Sequence, residues 1–176
     1  MIGKMIVLAV TGLLMAVAAF NSYAAEGTVK ATATWVAEGR FYQVKEKQAL
    51  FVGAFKGIMF LESKKGDLDA AKIVCPGMIE INLEDGNESG EGRCVITTQS
   101  EDNVYASWTC AGVFMQGCAG TFTLLGGTGK FEKITGNSEF EIRSDMAEYV
   151  VAMEGGSVEG AASGVAVWPA LTYKVP

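Results

Sequence analysis

The sequence predicts an all-β fold: a single antiparallel eight-stranded β-barrel behind a cleaved N-terminal signal helix. Three observations carry this. Apolar and polar residues alternate with period two in several short stretches, the mark of half-buried strands. Clusters of Gly, Asn, Asp and Ser separate those stretches at hairpin spacing. The chain holds 22 glycines and only 3 prolines, with no clear amphipathic helix among them.

The N-terminus reads as a targeting segment. Lys4 supplies a short positive region, Ile6 to Phe20 an apolar run, and Ser22-Tyr23-Ala24 a small-x-small cleavage site. That order is the pattern of a secretory signal peptide, and the run is short for a membrane span of about 20 residues. The expected organisation is residues 1–24 as signal peptide and 25–176 as one barrel domain, exported to a periplasm or secreted, with no membrane span after cleavage.

The strands follow in order. RFYQVKE (40–46) and ALFVGAFKGIMFLE (49–62) come first, the second expected to bulge at Gly53 or Gly57. MIEINL (78–83) places Ile79, Ile81 and Leu83 opposite Glu80 and Asn82. The stretch EDGNESGEG (84–92) reads as a loop before RCVITTQ (93–99). In NVYASWTC (103–110), Val104, Ala106, Trp108 and Cys110 share one face. CAGTFTLL (118–125) and NSEFEIR (137–143) continue the meander, the latter with Ser138, Phe140 and Ile142 on one side. Tyr149-Val150-Val151 favours a strand over a helix. The last strand, GVAVWPALTY (164–173), holds Pro169, which lacks an N–H and so belongs at a bend, bulge or edge. Eight strands can close on themselves, which removes exposed edges.

The stretch LLGGTGKFEKITG (124–136) tests the enzymatic alternative, because GTGK resembles part of a phosphate-binding loop. A Walker loop requires G-x-x-x-x-G-K-[ST]. Here Phe131 follows Gly129-Lys130, Leu124 stands in place of the first glycine, and alternating residues follow where a helix is needed. A mechanical role fits better. Gly126, Gly127 and Gly129 tolerate turn angles that residues with a Cβ resist, with Gly136 closing the run. Phe131 can then fold over the end of the core.

The run GGTGKFEKITGNSEFEI (126–142) resembles the glycine-turn signature of the allene oxide cyclase and dirigent β-barrel superfamily. The resemblance extends back through GCAGTFTL to GEGRCVITT, covering roughly residues 91–143. It implies an eight-stranded antiparallel barrel with an apolar interior, often assembled as trimers. Plant members cyclise an unstable epoxide or orient the radical coupling of phenols. The acidic and polar groups they use lie on early strands, where this sequence has no matching motif. Cys94 falls where the cyclases tend to carry a cysteine. The signal peptide, the four cysteines and the CPG at 75–77 look more like small exported bacterial members of unassigned function.

Cys75, Cys94, Cys110 and Cys118 are an even set in an exported chain and read as two disulfides. A four-cysteine zinc site lacks the close C-x2-C spacing it needs. Cys110 and Cys118 flank GVFMQG (112–117) and can face each other across a hairpin. Cys75 and Cys94 flank the hairpin before it. This favours Cys75–Cys94 with Cys110–Cys118, while Cys94–Cys110 with Cys75–Cys118 stays open.

The chemistry available is narrow. There is no histidine, which removes Ser-His-Asp and Cys-His machinery and imidazole metal ligands. The net charge of −6 argues against nucleic acid and anionic lipid surfaces. Asp85, Asn87, Ser89 and Gly90 match half a calcium loop, but Ile96 stands where the bidentate Glu belongs. Glu139 and Glu141 alternate outward with Arg143, a solvated charged face. Trp108, Phe122, Leu124, Phe140 and Ile142 are candidates to line a ligand cavity, with packed core as the competing reading. The expected function is an exported, non-catalytic barrel that binds a small apolar molecule or forms a homo-oligomer. No catalytic set, cofactor or metal is expected. A cyclase or isomerase acting on a lipid-derived or phenolic substrate, and a structural envelope protein, are the alternatives.

Overall fold

The computed structural model describes residues 25–64, 66–154 and 157–176. The expected signal peptide therefore lies outside the described residues. The chain forms one closed sheet in the order β1-β2-β3-β4-β5-β6-β7-β8, every neighbour antiparallel. The strands are β1 (Ala25–Lys45), β2 (Gln48–Leu61), β3 (Ala71–Asn82), β4 (Asn87–Thr97), β5 (Asn103–Val113), β6 (Gly117–Gly127), β7 (Gly136–Glu154) and β8 (Ser157–Val175). A single 3-10 turn, Gly129–Phe131, lies between β6 and β7.

Five strands are longer than the sequence pattern indicates, among them β8, which starts at Ser157 rather than Gly164. β1 starts at Ala25 rather than Arg40, because Ala31, Ala33, Trp35 and Ala37 already face the core while Thr32, Thr34, Val36 and Glu38 face out. The small contrast between Ala and Thr hides that alternation. β3 includes Ala71, Ile73 and Cys75 on its inner face. β4 includes ESGEG, which is strand and not loop. β7 runs on through Met146–Met153, and pairs with β8 again from Val150 after a register shift that follows Asp145.

The glycines of β2 also act differently from expectation. Neither Gly53 nor Gly57 interrupts a register with β1 or β3. A Cβ on Gly53 would lie 2.5 Å from both the Glu38 carbonyl oxygen and the Phe51 ring. The glycine makes room; it does not bend the ladder. Pro169, in contrast, sits where the β1–β8 register shifts, between the Val29–Leu171 and Ala31–Trp168 pairs. Its missing N–H falls at a bulge.

The four cysteines pair as Cys75–Cys94 and Cys110–Cys118, and no described cysteine is free. Cys75 and Cys94 are buried on neighbouring strands with Cα atoms 4.0 Å apart. Cys110 and Cys118 are offset across the β5–β6 hairpin, at 5.6 Å. Both disulfides face the barrel interior. This settles the pairing left open by the sequence.

The two ends of the barrel differ. At the end carrying residues 62–70, 98–102 and 128–135, Leu68, Thr98, Phe131 and Ile134 are buried and plug the interior. Lys130 forms an ion pair with Asp67, joining two of these loops. Its Nζ lies 5.4 Å from the Phe131 ring centroid. The GTGK stretch is thus an end plug. Gly129 takes φ +54°, and a side chain there would strike the Asp102 carboxylate. The opposite end carries residues 46–47, 83–86 and 114–116, with no comparable plug among the described residues.

Trp108 lies across Gly77, Gly90 and Gly92 of β3 and β4. A Cβ on Gly90 would sit 3.0 Å from Ile79 and 3.1 Å from the Trp108 ring. Gly90→Ala should therefore destabilise the protein by about 1–2 kcal/mol, measured by urea unfolding. In a Trp108→Leu background the part of that penalty due to the ring should be lost while the Ile79 contact remains, so the penalty should fall without vanishing, read as a double-mutant cycle. Removing the Cys75–Cys94 bridge, which closes a sequence separation of 19, should lower stability by about 3 kcal/mol.

Candidate functional site

The interior is walled by aromatic rings in contact. From the open end inward, Phe114 meets Phe41 at 5.9 Å between centroids, Phe41 meets Phe51 at 4.9 Å, and Phe51 meets Phe55 at 6.2 Å. Phe55 then contacts Trp35 at 5.5 Å and Trp108 at 5.7 Å, both edge-to-face. A second group, Phe122, Phe140 and Trp168, lies beyond, with centroids 5.3–6.2 Å apart. Such geometries suit the ring quadrupole and hold the rings in place.

Two small cavities remain between the rings. The outer one, ≈ 50 Å³, lies under the open rim and is lined by Trp35, Phe41, Phe51, Phe55, Trp108, Phe114, the Cys110–Cys118 pair and Glu88. The inner one, ≈ 40 Å³, is lined by Phe122, Phe140, Trp168 and the Cys75–Cys94 pair. Trp35, Phe55, Trp108 and Ile142 border both. For scale, a dry cavity of roughly 150 Å³ takes benzene. These spaces hold a few heavy atoms each unless the rim rings move.

The expected lining residues divide accordingly. Trp108 and Ile142 line both cavities, and Phe122 and Phe140 line the inner one. Leu124 lines neither and is buried in the core. Of the turn glycines, Gly126 and Gly129 have φ of +132° and +54°. Gly127 needs no positive φ: a Cβ there would lie 2.9 Å from Phe131. Gly136 opens β7, where a side chain would strike the Thr172 carbonyl. All of these sit at the plugged end, away from the open rim.

Glu88 was not among the expected site residues. It lies on the inner face of β4, in register with Ile81 of β3 and Gly112 of β5. The hairpin before it sets this direction. Gly86 N–H donates to the Asn82 carbonyl, Glu84 N–H to Asn82 Oδ1 and Asn87 N–H to Asp85 Oδ1. The half calcium loop of the sequence is this turn. With Asn87 turned out, Glu88 turns in.

The Glu88 carboxyl makes no hydrogen bond or ion pair with any described residue. Burial pushes its pKa up from 4.5 to about 7, because a charge among rings loses hydration without a compensating partner. On its outer side it borders a rim groove with Lys45, Lys47, Glu80 and Glu84. Lys47 is engaged with Glu84 at 2.8 Å, and Gln48 donates to Glu80. Only strand parity points to Glu88, and only once β4 is known to extend this far. Counting back by two from the inward Cys94 reaches Gly92, Gly90 and Glu88.

No family model matches the chain, and no curated protein matches it. Among solved structures it is similar to a pterocarpan synthase dirigent protein, at 11% identity and a TM-score of 0.37, covering 82% of this chain and 93% of that one. The barrel assignment stands on the ladders of this chain.

The raised pKa has a defined consequence for stability. A carboxyl whose folded pKa lies above its unfolded value favours the folded state when protonated. That contribution is fully present below pH 4.5 and is lost as pH rises through about 7. Glu88→Gln should match the parent protein near pH 4. Above pH 7 it should be more stable by about 1 kcal/mol, allowing for solvent screening at the rim. Thermal unfolding across pH 4–8 measures this.

Proposed function

We propose that this protein is an exported, non-catalytic binding barrel that receives the small apolar part of a molecule at its open rim. One observation carries the reading. A ring-walled cavity opens at one end of the barrel and contains a single described carboxyl, Glu88. Apolar walls with one placed polar group are the usual composition of a small-molecule site. Two disulfides agree with an oxidising compartment, which supports export to a periplasm or secretion. The glycine-turn resemblance supports placing the chain with the allene oxide cyclase and dirigent barrels, as a small exported bacterial member.

A second reading has its own observation. A carboxyl with a pKa of about 7 is poised to accept and return a proton at neutral pH. That would suit an isomerase or cyclase acting on a phenolic or lipid-derived substrate. The homo-oligomer and envelope-protein proposals rest on the outer face, where Val36, Val52, Ile58, Phe60 and Val74 are exposed.

Native mass spectrometry of protein purified without detergent tests the binding reading. The expected result is a retained small molecule, or retention of an added aromatic probe that Glu88→Gln or Phe51→Ala weakens by tenfold or more. A protein that holds no probe up to millimolar concentration overturns it. Turnover of a phenolic or epoxide substrate lost specifically in Glu88→Gln, with binding intact, would establish the second reading. Phe114→Ala, which removes a rim ring, should raise the association rate for any probe that enters.

A further inference from the structure

We propose that the rim cavity takes a compact organic cation, an alkylammonium head group, between the Glu88 carboxylate and the ring wall of Phe41, Phe51, Phe114 and Trp108. This deepens the binding reading and rests on it. The argument is one of complementarity. Glu88 is the one group that ionises among the described residues lining the cavity, so the cavity carries no positive charge to meet an anion. The chain as a whole has a net charge of −6, which also repels anions. A carboxylate facing aromatic rings meets a cation on one side, while the rings attract the same cation through their quadrupoles.

The size of the space agrees. A cavity of ≈ 50 Å³ accepts a head group of a few heavy atoms and leaves a longer tail at the rim. The absence of an internal partner also matters. Two carboxylates that border the adjoining rim groove are engaged: Glu84 with Lys47 and Glu80 with Gln48. Glu88 is inward of them and has no described cation against it. A ligand cation would restore the interaction that burial removed.

The proposal fixes a pH dependence. An alkylammonium remains protonated at pH 8, so the ionisation of Glu88 governs binding. The raised carboxyl, at about 7, predicts weak cation binding at pH 5 and full binding at pH 8. The charged groups on the outer side of Glu88 are Lys45, Lys47, Glu80 and Glu84. The described lining residues from β1, β2, β3, β5, β6, β7 and β8 carry no group that titrates between those pH values.

The test is a titration of the purified protein with n-butylamine, butan-1-ol and butyrate, three probes of similar size and different charge. Binding is followed through the tryptophan indole N–H resonances. The expected result is n-butylammonium binding at least tenfold tighter than butan-1-ol at pH 8, and butyrate binding more weakly than either. The preference should fall about tenfold at pH 5 and disappear in Glu88→Gln. Equal binding of amine and alcohol, tighter binding of butyrate, or a cation preference that survives Glu88→Gln overturns this inference and leaves the binding reading standing. Failure of all three probes to bind at either pH overturns both.

Discussion

The structure depends on fitting large aromatic rings inside an eight-stranded barrel. A barrel of this size has an interior just wide enough for side chains. Here the rings lie against inward-facing glycines of nearby strands. Phe51 covers Gly39 and Gly53, Trp108 covers Gly77, Gly90 and Gly92, Phe41 covers Gly160, and Trp35 covers Gly164. Each ring needs the volume that a Cβ would occupy. Large residues opposite small ones fill a tapered interior, and a one-residue slip would set rings against side chains. The same pairing therefore packs the core and fixes the register.

The polarity of the barrel follows from where that packing stops. At one end, Leu68, Phe131 and Ile134 come from loops and complete the core. The Lys130–Asp67 ion pair ties those loops together. At the other end the rings reach the rim, and Phe114 is the last in contact. The space under it is bordered by glycines and alanines such as Ala37, Gly160 and Ala162, which leave room that ring packing does not fill. Glu88 enters that room because β4 continues its alternation to the hairpin. Its raised pKa is a consequence of the ring wall, since burial is the cause of the shift.

Most of the strand order was legible from hydrophobic alternation, and the reason for the exceptions is specific. β5 could be read because Val104, Ala106, Trp108 and Cys110 contrast with polar neighbours. The first half of β4 could not, because its inner face is Glu88, Gly90 and Gly92. Glycine carries no hydrophobic signal, and its alternation with Glu, Ser and Asn looks like a loop. The ring that makes those glycines interior, Trp108, lies on the next strand. A residue that is buried by a neighbour's side chain leaves no mark in its own segment. Gly53 and Gly57 were misread for the same reason: each answers to close approach by another strand.

What the sequence determined by itself was the class of fold, the end plug at Phe131 and the presence of two cross-links. These rest on local rules: period-two alternation, turn chemistry, and an even number of cysteines. Tertiary structure decided the rest. It chose Cys75–Cys94 and Cys110–Cys118, because only the register brings those Cα atoms within bridging distance. It left one end without a plug among the described residues, because closure depends on which loops reach inward. It also turned an ordinary hairpin glutamate into a carboxyl held near neutrality, because hydration is lost only when distant strands bring their rings around it.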